Sequence, residues 1–266
     1  MEQQWEWEKL AEGLRICVSP EHKFGTDAFL LSDFAAKAGE LRGSLRGKTA
    51  CDLGTGCGII PLLWFRGTRP PQKVWCVDIQ QQAISQLRRT LEENRSIEGG
   101  PDLSGVIPVL ADLKSLGREG SEIPAGVCDL VTCNPPYKVR DTGVMSRTRA
   151  DQAARHETLC TIDDVCRTAA RLLKFGGRLC VCQRPERLAD VLEAMRAHHL
   201  EPKRLRFVQQ RSDSAPWLFL AEAKLGSKPF LQVEPPLVIE DENGGFSQEL
   251  LRIYHKKQNR LQGKEC

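Results

Sequence analysis

Four consecutive residues, Asn134-Pro135-Pro136-Tyr137, carry the clearest chemistry in this 266-residue chain. They follow Asp129-Leu130-Val131-Thr132-Cys133, an apolar run that reads as a buried strand. Pro135 and Pro136 lack N–H groups and fix their own φ, so the chain leaves the strand as a rigid platform with carbonyls free to accept. An amine attached to a flat ring is a poor nucleophile because its lone pair is delocalised. The Asn134 side-chain oxygen and the Pro135 carbonyl can each accept one N–H of such an amine. That turns the lone pair out of the ring plane and stabilises the positive charge developing on nitrogen. Tyr137 adds a face on which the flat target stacks, a contact worth about 1–3 kcal/mol per base. This chemistry needs neither a general base nor a metal.

A second constellation stands at the ends of three earlier strands. Thr49–Leu53 runs into Asp52-Leu53-Gly54-Thr55-Gly56-Cys57-Gly58 and then into a helix, so Gly54 and Gly56 let a ligand approach the backbone. A dinucleotide fingerprint would place its third glycine where this chain has Ile59, and Asp52 opposes a pyrophosphate while suiting a cationic ligand. Val77-Asp78-Ile79 closes the next strand, and Asp78 can accept both hydroxyls of a ribose. Ala111-Asp112-Leu113 closes the third, where Asp112 and a backbone N–H could read an adenine edge with Leu113 or Ile79 against its face. Each acid alone reads equally well as a helix N-cap. Together they describe a nucleoside site. S-adenosyl-L-methionine, which joins adenine and ribose to a sulfonium and carries no phosphate, fits that site better than NAD.

Short β-branched runs alternate with longer amphipathic segments from Thr49 to about Ala223, the order expected of an α/β, Rossmann-like, mostly parallel sheet. Seven strands are expected, near Thr49–Leu53, Val74–Ile79, Val106–Ala111, Leu130–Cys133, Arg178–Cys182, Arg204–Val208 and Leu218–Ala223. Helices are expected over Ile59–Phe65, Gln80–Arg95, Thr161–Phe175 and Pro185–His198, with Lys174-Phe175-Gly176-Gly177 as a helix end. The last two strands are too closely spaced for a helical crossover and should pair antiparallel. Ahead of this core (49–224) a leader (1–48) holds a strand at Leu14–Val18 and an apolar helix at Asp27–Ala38. Trp5 and Trp7, alternating with acids, look like an edge strand. After the core, an extension (225–266) ends in a basic helix over roughly Ser247–Leu261.

The span from Asp52 to Ala223 resembles the class I methyltransferases, with seven strands and the last antiparallel, which implies cofactor binding by Asp52, Gly54, Gly56, Asp78 and Asp112. Asn-Pro-Pro-Tyr motifs are similar to those of enzymes methylating adenine N6, guanine N2 or a glutamine amide, all planar nitrogens. Nearly the whole chain resembles the bacterial tRNA (adenine-N6)-methyltransferases acting at adenine 37 beside the anticodon of a valine tRNA. That resemblance is carried by Lys23-Phe24-Gly25-Thr26-Asp27-Ala28 with Leu30-Leu31, the glycine turn, Asn134 to Tyr137, Arg155-His156-Glu157 and Arg184-Pro185-Glu186-Arg187-Leu188. It implies a leader folded over the cofactor, with Gly25 and Thr26 as minor contacts.

A stacked base must be turned out to reach such a platform, which calls for phosphate contacts nearby. Lys138, Arg140, Arg147, Arg149 and Arg155 against Asp141 and Asp151 give a local basic excess after the platform. Arg252, Lys256, Lys257, Arg260 and Lys264 form a second cluster, and Lys203, Arg204, Arg206 and Arg211 a third; a charge run is equally often a solvated face. The net charge of +3 (38 − 35) identifies no nucleic-acid binder by itself. A hydrophobic fraction of 41% excludes a disordered or fibrous chain. The longest apolar run, Ile59 to Phe65, is far short of a membrane span, and the acidic start MEQQWEWEK does not read as a secretory signal, so a cytoplasmic protein is expected. Eleven cysteines, several inside strand-like runs and none in a C-x-x-C, read as reduced buried thiols, with no zinc site.

The expected partner is RNA, most naturally tRNA, and the expected state a monomer. Competing readings are a release-factor-type glutamine methyltransferase, which normally carries a helical domain ahead of the core, an rRNA guanine-N2 enzyme with a duplicated domain, a DNA adenine enzyme with a large recognition domain, and an RNA-binding partner subunit without activity. The last predicts erosion of the acids or the tetrapeptide, and both are intact.

Overall fold

A computed structural model describes residues 5–20, 22–41, 43–135 and 160–255. Its centre is an eight-stranded sheet in the order β10-β8-β9-β7-β6-β3-β4-β5. The strands are β3 (Thr49–Leu53), β4 (Lys73–Asp78), β5 (Val106–Leu110), β6 (Cys128–Cys133), β7 (Leu173–Gln183), β8 (Leu200–Gln209), β9 (Pro216–Leu225) and β10 (Gln232–Val238). All neighbours pair parallel except β9, which runs antiparallel to both β7 and β8.

Both faces of the sheet are covered, which explains the unbroken apolar strand runs. Side chains alternate between two cores: Val74, Cys76, Cys180, Cys182, Leu218 and Leu220 enter one, and Trp75, Val77, Leu179, Val181, Phe219 and Ala221 the other. The first core is closed by α1 (Thr26–Ala36), α2 (Ile59–Trp64), α3 (Gln81–Arg95) and α6 (Gln248–Ile253). The second is closed by α4 (Ile162–Leu172) and α5 (Leu188–Ala197). A capping box, with Thr161 and Asp164 each bonding the other's backbone N–H, starts α4.

The leader packs Leu14, Ile16 and Val18 into the first core and is joined to this frame through polar groups as well. Its strands β1 (Glu6–Ala11) and β2 (Leu14–Val18) form their own antiparallel pair. The pair is separate from the main sheet, so the Trp5 and Trp7 segment does not extend that sheet. The free edge of β2 lies along α3, where Gln86, Thr90 and Asn94 recur every fourth residue. Thr90 Oγ1 accepts from Cys17 N at 3.0 Å, Asn94 Oδ1 accepts from Arg15 N at 2.9 Å, and Gln86 Nε2 donates to Cys17 O at 2.8 Å. The three buried polar residues therefore do the work of a missing neighbour strand.

Two expectations are corrected. The sheet has eight strands rather than seven, because residues 232–238 add β10 beside β8. The pairing of β10 shifts register between Glu234 and Leu237, spanning Pro235 and Pro236, and proline is tolerated at such an edge irregularity. Lys174-Phe175-Gly176-Gly177 is not a helix end: α4 stops at Leu172, β7 begins at Leu173, and Gly176 sits inside it at φ 79°. No helix among the described residues is long and apolar enough to cross a membrane. The ten described cysteines are free, and all but Cys160 are buried.

Candidate active site

The carboxyl ends of β3, β4, β5 and β6 open into one cavity of about 360 Å³. Parallel strands expose their last residues and the following turns along a single rim, which is why ligand sites gather there. Gly54, Asp78, Ile79, Asp112, Leu113, Asn134 and Pro135 line this cavity, so the first two platform residues share one space with most of the nucleoside residues expected from sequence, while Gly56 is off the wall. His22 and Lys23 of the leader, with Gln80, Cys133 and Cys160, complete much of the wall. Spacing gave no signal for these five residues. His22 is carried to the wall by its backbone, whose carbonyl accepts from Gln86 Nε2 at 3.0 Å.

Asp78 is 6% exposed and fixed by main chain alone. Gly56 N donates to its Oδ2 and Gln80 N to its Oδ1, both at 2.9 Å. Each of these oxygens has a further lone pair, so the carboxylate has the capacity to accept a pair of vicinal hydroxyls as well. Ile79, 47% exposed at the cavity wall, offers an apolar face beside it. Asp112 Oδ1 caps the short turn that follows β5 by accepting from Lys114 N at 2.9 Å, and Leu113 stands next to it on the wall. A carboxylate with spare acceptor capacity, a second carboxylate at a turn and an apolar face thus stand together on one wall.

Gly54 and Gly56 hold φ of 69° and 55°, and an added Cβ at either would meet open space. Their need for glycine is therefore conformational, and the turn presents bare backbone. Beneath it, Asp52 does not line the cavity. It is 1% exposed, and its oxygens accept from Thr55 Oγ1 at 2.8 Å and from Thr132 Oγ1, its register partner on β6, at 2.6 Å. Burial pushes its carboxyl up to about 7, against the two hydroxyl bonds, which pull it down. Burial also raises the wall thiols, Cys160 to about 11 and Cys133 well above its ordinary value, so neither supplies a thiolate at neutral pH.

Asn134 follows β6 immediately. Its Nδ2 donates to Asp27 Oδ2 on α1 at 3.0 Å, and its Oδ1 accepts from Cys182 Sγ on β7 at 3.1 Å. Thr26 is off the cavity wall and shares a 2.8 Å hydrogen bond with the hydroxyl of Tyr254, just past α6. Phe29 packs against Tyr254 with ring centroids 4.4 Å apart and planes tilted by 52°, so the leader helix and the last described helix are joined beside the site.

Pro136, Tyr137, Lys138, Arg140, Arg147, Arg149 and Arg155, with His156 and Glu157, lie outside the described residues, as do the basic residues after 255. Two residues of the third basic cluster are spent on structure, and the other two stay at the surface. Arg204 pairs with the fully buried Glu222 at 2.7 Å and with Glu234 at 2.8 Å, and Arg206 pairs with Glu249 at 2.8 Å. Arg211 lies 3.4 Å from Asp213, and Lys203 Nζ donates to the Lys228 carbonyl. Among the described residues no group of three His, Cys, Asp or Glu could hold a metal.

Comparison with known proteins gives a family and a fold. The Methyltransferase small domain family matches residues 24–203. A protein of Tolumonas auensis named tRNA1(Val) (adenine(37)-N6)-methyltransferase is 26% identical over 231 residues, covering 87% of each chain. One of the same name from Porphyromonas gingivalis is 26% identical over 236 residues, covering 87% of this chain and 86% of its own. Among solved structures, a predicted O-methyltransferase of Agrobacterium tumefaciens superposes with a TM-score of 0.65 at 20% identity, over 86% of this chain and 95% of that one, a likeness of fold.

Proposed function

The chain belongs to the Methyltransferase small domain family, and from that premise we propose that it methylates N6 of an adenine in RNA, most specifically position 37 of a tRNA, using S-adenosyl-L-methionine. The single observation that carries the reading is the sharing of one cavity by Asn134 and Pro135 with Asp78, Ile79 and Asp112. When bound, S-adenosyl-L-methionine supplies an electrophilic methyl carried on a positive sulfur. Asp78 would hold the ribose hydroxyls, Asp112 and the backbone at Leu113 the adenine edge, and Ile79 the adenine face. His22 and Lys23 would cover the site from the leader side.

Asn134 Oδ1 and the Pro135 carbonyl would accept the two N–H bonds of the target amine, aim its lone pair into the cavity and stabilise the positive charge that nitrogen gains as the methyl–sulfur bond breaks and its electron pair stays on sulfur; the methylated nitrogen then loses one proton to water. Tyr137 would stack the base. Lys138, Arg140, Arg147, Arg149 and Arg155 would bind the phosphates around it. The names of the relatives from Tolumonas auensis and Porphyromonas gingivalis support adenine 37.

The test is nucleoside mass spectrometry of small RNA from cells lacking the gene. Loss of N6-methyladenosine from one tRNA, restored by the wild-type chain and not by Asn134→Ala, is expected. Unchanged N6-methyladenosine with loss of a methylated protein glutamine would overturn the RNA reading.

A further inference from the structure

An amide presents an acceptor at one end and two donors at the other, and the two ends are almost identical in shape. Turned by 180°, Asn134 would offer its NH2 to the incoming amine, donor against donor, and the platform would fail. Something must fix which end faces the substrate. Asn134 Nδ2 lies 3.0 Å from Asp27 Oδ2, and a carboxylate only accepts. At the other end the Cys182 thiol, a donor, reaches Oδ1 at 3.1 Å. Both contacts select the same orientation.

The leader motif around Asp27 acquires a reason from this. Gly25 has an ordinary extended backbone, so conformation does not demand glycine there. A Cβ at Gly25 would come within 2.7 Å of Asp27 Oδ1, so the carboxylate would have to shift from this position. Gly25 is therefore the space into which the Asp27 carboxylate fits. Thr26, between them, anchors the same turn to Tyr254.

We propose that Asp27 is a positioning residue for methyl transfer: it locks the Asn134 amide with its oxygen toward the target amine, and Gly25 exists to admit its carboxylate. The inference rests on the proposed reaction at Asn134 and adds to it a group that never touches substrate. The alternative role for Asp27 is an acid in the first turn of α1, where it would stabilise the helix and nothing else.

The experiment compares wild type, Asp27→Asn, Asp27→Ala and Gly25→Ala as full-length chains, with unmodified tRNA transcripts as acceptor. Expected is a fall in kcat of about 10²-fold for Asp27→Ala. Asp27→Asn, which can bond Asn134 in either orientation, should fall between, and Gly25→Ala should lower kcat in the same direction. The cofactor Kd should stay within about two-fold throughout, a split that a loss of helix stability would not produce. In parallel, the Asn134 side-chain NH2 protons, followed by 15N NMR, should exchange faster with water in Asp27→Ala than in wild type.

Unchanged kcat in Asp27→Ala, or a loss that merely tracks thermal stability and cofactor affinity, overturns the proposal. Should wild type transfer nothing to tRNA, the proposed substrate fails on its own, and the NH2 exchange decides this inference: unaltered exchange removes it, and accelerated exchange supports it.

Discussion

The two walls of the cavity are built in opposite ways. On the nucleoside wall, Asp78 is held by backbone N–H groups 22 and 2 residues away in sequence, on turns that β3 and β4 fix directly. On the amine wall, Asn134 is held by side chains 107 and 48 residues away, from a helix of the leader and from β7. The first wall forms wherever the two strands pair in register. The second exists only when leader, β6 and β7 have all docked. Cofactor affinity should therefore survive damage that stops turnover, and the reverse.

The largest effect that tests this contrast is expected from Asn134→Ala. Steady-state transfer should fall by about 10²- to 10³-fold in kcat, as for loss of one preorganised group in a reacting site. Isothermal titration should find cofactor affinity within about two-fold of wild type. Equal losses in both would mean that the walls are one unit. Asp78→Ala should behave in mirror image. Losing charge-assisted bonds worth about 1.5–3 kcal/mol weakens cofactor binding by roughly 10- to 100-fold, with kcat at saturating cofactor little changed.

A third effect concerns the support beneath the nucleoside wall. The Asp52 carboxyl sits near 7 in the folded chain against an ordinary 3.8, so between these values the folded state holds a proton that the unfolded state has lost. The contribution of Asp52 to stability is thus greatest below about pH 4, declines as pH rises toward 7 at up to about 1 kcal/mol per pH unit, and is flat above. Denaturant midpoints measured from pH 5 to 8 should show this decline in wild type and a shallower one in Asp52→Asn. The smallest effect is expected from Tyr254→Phe, which removes the bond to Thr26. It should cost about 1 kcal/mol of stability, read by denaturant titration, and leave cofactor Kd unchanged.

The same contrast explains what could be read before the fold was known. Gly54, Asp78, Asp112 and Asn134 stand at strand ends, and a strand followed by a glycine turn or a proline pair is a local signal that survives without tertiary context. Asp52 was legible as a strand-end acid, but its direction was not. The hydroxyl that turns it inward comes from Thr132, 80 residues away on the strand that pairs with β3. His22 and Lys23 reach the wall because Gln86 on α3 accepts β2 as a neighbour, and no periodicity announces that. The cluster Lys203, Arg204, Arg206 and Arg211 looked like a charged face because Glu222, Glu234 and Glu249, the acids that bind two of its arginines, lie elsewhere in the chain. β10 was missed because Pro235 and Pro236 argue against a strand everywhere except at an edge.

Those prolines have a counterpart at the opposite end of the sheet. β5, the other outermost strand among the described residues, carries Pro108, and β10 carries two, so both borders are missing backbone donors along part of their length. A ninth strand, whether from a second copy or from an unfolded neighbour, would find an interrupted ladder on either side. A sheet of eight paired strands thereby resists growing into an aggregate by the same pairing that makes it stable.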